Sequence, residues 1–366
     1  MAAEYSYTRV ANNYFCLHCN LVSLAWILLV KSESLHLKAL GIHRRQVPAI
    51  LKSIILRRMH LRQDSADTLT LPAFGHLCMR VHRGYKVFDF RRMTVTKLFD
   101  DDFDATAAAR EIGAVRDAAV LDFAPSLFDV GPQDRWYTET FFPGTRSPKT
   151  AQSDPVSLFE QVIADYLAQM IRSKSVRTTG LAEYFHEAHE SLTRQLTSLQ
   201  LDAGISARIL EFTRRIVECL ENTDDTDIYL AFTHGDFSFV NFQDNNGRIA
   251  VIDWESAQLR SALHDLYNYY FTELYYGRTR SDLLTEIDSS VLSLSQRLAA
   301  DNPALSRNVA KLGNVYRWLY YLERLHMLLE REISEGQLKV ICHSADTFVR
   351  HEFPFPAGSR KREESP

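Results

Sequence analysis

The rhythm of apolar and polar positions divides the chain into four regions: 1–70, 71–144, 145–350 and 351–366. In the first, residues 14–30 are mostly apolar, most densely from 21 to 30, and Asn13, His18, Asn20 and Ser23 border or interrupt the run. Pro48 and the polar cluster Gln63-Asp64-Ser65-Ala66-Asp67 act as breakers, so residues 1–70 read as a helical extension. The second region has the period of strands. Tyr85-Lys86-Val87-Phe88-Asp89-Phe90 alternates as a half-buried strand does, Arg91 and Arg92 interrupt, and Met93-Thr94-Val95-Thr96-Lys97-Leu98-Phe99 resumes the alternation. The pair predicts a hairpin, although neither Gly nor Asn marks its turn. Asp104 or Thr106 can cap the Ala-rich stretch that follows, where Ala107, Glu111, Ala114 and Ala118 share a helix face. A further strand, Arg135-Trp136-Tyr137-Thr138-Glu139-Thr140-Phe141-Phe142, ends at Pro143-Gly144. Residues 145–350 are mainly helical apart from one hairpin, and 358–366 have the composition of a disordered tail. A small antiparallel sheet with one helix, leading into a larger helical region, is an α+β pattern.

The hairpin of the third region concentrates the reactive side chains. Ile228-Tyr229-Leu230-Ala231-Phe232 delivers the chain to Thr233-His234-Gly235-Asp236-Phe237-Ser238-Phe239-Val240-Asn241. After Asp244-Asn245-Asn246-Gly247, a second apolar run, Ile249-Ala250-Val251-Ile252, ends on Asp253-Trp254-Glu255. Asn-Gly is a favoured two-residue hairpin turn. Folding about it sets Asn241 opposite Ile252, within one residue of facing Asp253, with Asp236 just upstream. Two carboxylates and an amide oxygen at a hairpin mouth make a hard, oxygen-rich site of the kind Mg²⁺ takes. One carboxylate can hold metal while the other accepts a proton from an attacking hydroxyl, a division of labour that phosphoryl transfer requires.

His234-Gly235-Asp236 with Asn241 at the fifth position after the aspartate, then Ile252-Asp253-Trp254-Glu255, resembles the signature of the aminoglycoside phosphotransferase and choline kinase superfamily. The resemblance implies a two-lobed protein-kinase-like fold, with a small antiparallel sheet lobe and a larger helical lobe, and ATP and Mg²⁺ as cofactors. It implies that Asp236 is the catalytic base, Asn241 a metal ligand and Asp253 the principal metal ligand. Asp265, in Leu263-His264-Asp265-Leu266, resembles the aspartate that braces the catalytic loop, in which His234 is a structural support. Lys97 resembles the third-strand lysine on the ATP phosphates, with Glu111 as its helix partner; Lys86 is the competing lysine. Glu139-Thr140-Phe141-Phe142-Pro143-Gly144 looks like the segment that links the lobes, whose backbone bonds the adenine. On this footing 71–144 is the nucleotide-binding lobe and 145–350 the catalytic and acceptor-binding lobe. Three departures stand out. The expected nucleotide loop, His82-Arg83-Gly84, has a single glycine; Phe239-Val240 precedes Asn241 where many relatives carry other residues; and residues 1–70 have no counterpart.

Composition narrows the partners. With 42 Lys and Arg against 46 Asp and Glu, a net charge of −4 and a pI near 6.4, the chain has no global attraction for nucleic acid. Five cysteines (Cys16, Cys19, Cys78, Cys219 and Cys342), odd in number and scattered, suit a reducing compartment and so a cytoplasmic protein. Cys16-Leu17-His18-Cys19 has the gap of a metal knuckle, but no second ligand pair follows nearby, and His43 and His60 are isolated. The 14–30 run falls short of the roughly 20 apolar residues of a spanning helix. It lacks the basic start and small-residue cleavage site of a secretion signal, and is expected to pack against protein.

The leading expectation is an ATP-dependent kinase of a hydroxyl on a small molecule, with a sugar, an amino alcohol or an aminoglycoside-like compound as acceptor. Residues within 150–220 and 264–330 would bind it, and their mixed charge does not single out a polycation. The glycine-poor loop leaves open a catalytically weak nucleotide-binding module. The 14–30 run leaves open membrane contact, as in a kinase of a cell-envelope saccharide.

Overall fold

A computed structural model describes residues 4–10, 12–31, 33, 35, 37, 40–59, 68–143, 155–199, 201–224, 226–245, 247–275, 282–330 and 335–352. His60, the polar cluster 63–67, Gly144, Asn246 of the hairpin turn and the tail 358–366 lie outside these residues. The chain divides into two compact units, Met1–Ser153 with Phe239–Ala257, and Asp154–Ser238 with Gln258–Pro366.

An eight-stranded antiparallel sheet forms the first unit. Its strands are β1 (Tyr5–Val10), β2 (Asn13–Cys16), β3 (Thr68–Leu71), β4 (Leu77–Val81), β5 (Gly84–Asp89), β6 (Thr94–Phe99), β7 (Leu127–Val130) and β8 (Trp136–Thr140). They lie in the order β3-β1-β2-β4-β5-β6-β8-β7. The helical extension expected for 1–70 is therefore partly sheet. Tyr7 pairs with Cys16 across β1 and β2, and both bury on one face beside Cys78, Val87 and Leu98. Aromatic and β-branched residues fit such a half-buried pleat, and burial against β4 and β5 decides the matter.

The apolar run 14–30 is divided between β2 and helix α1 (Leu21–Leu29), which Asn20 caps by accepting from the amides of Val22 at 2.9 Å and Ser23 at 3.1 Å. Leu24, Ile27 and Leu28 of α1 and Val47, Ile50 and Ile54 of α2 (Val47–Met59) bury in one core with Phe15, Leu77, Phe88 and Val95. Among the described residues no helix is long and apolar enough to cross a membrane.

The β5–β6 hairpin forms as the alternation predicts. Asp89 supplies the turn chemistry that glycine would have given: its Oδ1 accepts from the amides of Arg91 (3.0 Å) and Arg92 (3.3 Å), and Met93 takes the left-handed conformation at φ 54°. The glycine at 84 has a different reason. Val81 pairs with Gly84, so His82 and Arg83 alone make the β4–β5 turn, and a Cβ at Gly84 would stand 1.9 Å from the Leu98 carbonyl oxygen. That segment is a tight hairpin turn.

Helix α3 (Ala105–Ala118) starts at Asp104, whose Oδ1 accepts from the Ala107 amide at 2.7 Å. The hairpin Phe242–Asn245 with Arg248–Val251 groups with this unit and not with 145–350, a difference from the expected boundaries. The Val251 amide donates to the Phe123 carbonyl at 2.8 Å, and Trp254 packs on Phe123 with ring centroids 6.1 Å apart.

In the second unit, helices surround a three-stranded antiparallel sheet of Arg177–Gly180, Asp227–Thr233 and Gln258–Ser261, with Asp227–Thr233 central. The helix Gly313–Leu329 is buried nearly all round, the pattern of a core helix. Its Tyr316 hydroxyl accepts from the Tyr229 amide at 2.8 Å and donates to Asn308 at 2.6 Å, which ties the helix to the central strand.

Candidate active site

In the second unit, the central strand ends at Thr233 and hands the chain to His234, Gly235 and Asp236. Asp265, in the first turn of the helix His264–Tyr275, accepts from both the His234 amide (2.5 Å) and the Gly235 amide (2.9 Å). Gly235 takes φ 85°, a conformation that side chains disfavour. The His234 ring closes the loop on itself, its Nδ1 accepting from the Asp236 amide at 3.1 Å. His234 and Asp265 are buried, while the Asp236 carboxylate keeps partial exposure.

Three further residues hold this loop, and the motif did not point to them. Nη1 of buried Arg324 lies 3.4 Å from Asp236 Oδ1 and 3.5 Å from the Gly235 carbonyl oxygen. His264 places Nε2 3.4 Å from the same carbonyl and Nδ1 2.6 Å from Glu323. Glu323 also accepts from Tyr184 (2.5 Å) and from the amide (2.8 Å) and hydroxyl (2.9 Å) of Ser261. Burial pushes the Glu323 carboxyl up, but these donors, His264 foremost, more than reverse it and hold it below the usual glutamate value. One signal for Glu323 and Arg324 was present in the sequence: they are a charged pair inside the apolar stretch Leu319-Tyr320-Tyr321-Leu322 and Leu325.

The first unit carries the other candidate residues. Lys97, on β6, is buried, and its Nζ lies 2.5 Å from Glu111 of α3 and 2.8 Å from Glu255. Burial pulls the Lys97 ammonium down, and the two carboxylates more than offset this and raise it above the usual lysine value. Glu111, raised by burial, also accepts from the Tyr137 hydroxyl at 3.0 Å. Lys86 sits directly across the sheet from Lys97 and makes a separate pair with Asp253, Nζ to Oδ1 3.4 Å.

The hairpin has the register read from the sequence. Phe242 pairs with Val251, and one step further the Ile252 amide donates to the Asn241 carbonyl at 3.0 Å. The chain then turns at Asp253, which takes the left-handed conformation at φ 71° and presents a part-exposed carboxylate. Trp254 is buried, with its indole N–H donating to Val251 at 2.8 Å. Burial pushes Glu139, on β8, up to about 7, against the pull of Lys86. Phe141 donates its amide to the Met93 carbonyl at 2.8 Å and packs its ring on Phe88 and Phe90. The thiols of Cys16, Cys19 and Cys78 are buried, and the described residues hold no cluster of three or more His, Cys, Asp or Glu side chains suited to a metal ion.

Comparison with known proteins gives the class. The sequence model of the phosphotransferase enzyme family matches residues 100–287, just over half of the chain, and the chain belongs to that family. Among solved structures it is similar to a thermostable mutant of aminoglycoside phosphotransferase APH(4)-Ia in its apo form (15% identity, 76% of this chain and 91% of that one, TM-score 0.46). It is likewise similar to choline kinase from Cryptosporidium parvum Iowa II (14% identity, 76% and 87%, TM-score 0.45). A glucosamine kinase gives 14% identity, 80% and 79% coverage and a TM-score of 0.48. No curated protein matches the chain.

Proposed function

We propose that this chain transfers the γ-phosphoryl group of ATP to a hydroxyl of a small molecule, as a cytoplasmic enzyme. The observation that carries the reading is the Asp236 loop: two successive amides fixed on Asp265, and a part-exposed carboxylate held beside them, within a phosphotransferase family match. Asp236 orients the acceptor hydroxyl and takes its proton. Lys97, fixed by Glu111, contributes a cation to the nucleotide phosphates. The segment that begins at Glu139 bonds the adenine through backbone beyond Phe141, whose own amide is paired with Met93. Asp253 and Asn241 offer oxygen donors at one hairpin mouth, a donor set that fits a hard divalent cation with few protein ligands. Mg²⁺ bound there neutralises charge on the phosphates.

A screen of ATP consumption by the purified chain against sugars, amino alcohols and aminoglycosides tests the reading, run beside Asp236→Asn. Turnover with one class of acceptor, falling by roughly 10²- to 10⁴-fold in the variant, is expected. A variant that keeps more than half of the wild-type kcat removes Asp236 from this role. The two-residue β4–β5 turn favours a second reading, a nucleotide-binding module of low turnover, since it offers no run of amides to cradle phosphates. Nucleotide binding without turnover on any acceptor class would favour it.

A further inference from the structure

The outward faces of α1 and α2 form a surface that phosphoryl transfer does not use. Both helices bury their inner faces in the same core, so the opposite faces turn away from it. On α1 that face holds Val22 (78% exposed), Trp26 and Leu29, continued by the C-cap Val30; on α2 it holds Ile55, Leu56 and Met59 (74%). Val22, Trp26 and Leu29 recur at helical spacing, as do Ile55 and Met59, so each set makes a stripe. These seven are the majority of the thirteen large apolar side chains exposed among the described residues, so the exposure is concentrated here. A contiguous exposed apolar patch marks a contact with another phase or molecule.

Charge identifies which. Between residues 21 and 62, eight Lys and Arg face a single acid, Glu33, in a chain whose acids outnumber its bases by 46 to 42. Lys31, Arg44, Arg45 and Lys52 are exposed, and the Lys31 Nζ lies 5.2 Å from the Trp26 ring centroid. Apolar stripes with an indole and a lysine beside it, on a segment with exposed Arg45 and Lys52 and with Arg44 paired to the one acid, Glu33, are the chemistry of helices lying in an anionic lipid interface. Their apolar side chains enter the acyl boundary and their cations meet headgroup phosphates and carboxylates. A second copy of the chain fits less well, because apposing this patch with itself would bring like charges together. We infer that α1 and α2 dock this protein onto an anionic bilayer surface. Contact is in the plane of the interface: α1 has nine residues, too few to cross.

Sedimentation of the full chain with phosphatidylcholine vesicles, and with vesicles that also contain phosphatidylserine, tests the inference. The chain should pellet with the mixed vesicles, lose affinity as salt rises, and bind neutral vesicles roughly tenfold more weakly or less. Trp26→Ser with Met59→Ser should abolish most of the binding while leaving the thermal transition in place, since both side chains are exposed. Arg45→Glu and Lys52→Glu should each weaken it about 5-fold or more. Failure of the wild type to pellet with mixed vesicles, or equal pelleting by these variants, overturns the inference. So does a dimer in light scattering that Met59→Ser dissociates, which would show that a second copy covers the face.

Discussion

Lys86 and Lys97 stand directly opposite each other on β5 and β6, and the sheet holds these two like charges together because each has carboxylates of its own. Lys97 is enclosed by Glu111 and Glu255, whereas Lys86 pairs with the part-exposed Asp253 and feels Glu139 from further off. Like charges in directly opposed strand positions are otherwise destabilising. The two lysines are therefore not equivalent, and substitution should separate them.

Lys97→Met leaves the buried Glu111 carboxylate without its cation, so it should cost about 3–5 kcal/mol in chemical denaturation. Lys86→Met breaks a pair that solvent screens, and should cost about 1 kcal/mol or less. Its effect should fall on the proposed Mg²⁺ site. The Lys86 ammonium competes with any cation at Asp253, so the variant should need less Mg²⁺ for half-maximal binding of a fluorescent nucleotide analogue. A higher Mg²⁺ requirement in Lys86→Met would instead make Lys86 the phosphate-binding lysine.

How much of this was legible beforehand follows from contact range. The β5–β6 hairpin, α3 with its Asp104 cap, and the Asn241–Ile252 register all rest on local rules: alternation, capping and an Asn-Gly turn. Strands β1 and β2 were hidden because β2 runs within a few residues into the apolar helix α1, and the two read as one run. Their edge pairing with β3 and β4 comes from residues about 60 positions away, beyond any local period. Arg324 and Glu323 were missed for the same reason: 88 residues separate Arg324 from Asp236, and only the packed helix Gly313–Leu329 brings them together.

Glu139 gives the stability of the chain a pH dependence of its own. Burial raises its carboxyl from the ordinary 4.5 to about 7, so the folded state keeps a proton that the unfolded chain has released. Stability should therefore fall as pH rises from about 4.5 to about 7 and level off above. Glu139→Gln removes this ionisation. Its advantage over the wild type in thermal midpoint should grow across that window and stay constant at higher pH. A gap independent of pH would show that Glu139 titrates normally.

Arg324 lies against Asp236 and the Gly235 carbonyl, which under the proposed role of Asp236 makes it a positioning residue. Arg324→Gln should lower kcat, by up to roughly 10²-fold if the carboxylate shifts by about 1 Å, while KM for ATP changes little. Arg324→Lys, which keeps the charge but loses the planar fork, should recover part of the rate. Loss of ATP affinity in parallel with kcat, with no recovery in the lysine variant, would reduce Arg324 to a role in stability alone.

The N-terminal strands give the last prediction. Removing residues 1–30 deletes β1 and β2, the strands that stand between β3 and β4 in the sheet, together with the helix α1. β4 would then become an unpaired edge, and Leu77 and Phe88 would lose the cover of Phe15, Leu24, Ile27 and Leu28. An exposed apolar edge strand invites association with other chains. The truncated chain should accordingly appear in the insoluble fraction, or aggregate on purification. The full-length chain, contacting membrane only through the outward faces of α1 and α2, should be released by carbonate extraction, which strips peripheral proteins and leaves spanning ones. A soluble truncation with an unchanged thermal midpoint would show that β1, β2 and α1 contribute nothing to the fold. Full-length chain retained in the carbonate-washed pellet, beside such a truncation, would show instead that the segment enters the bilayer.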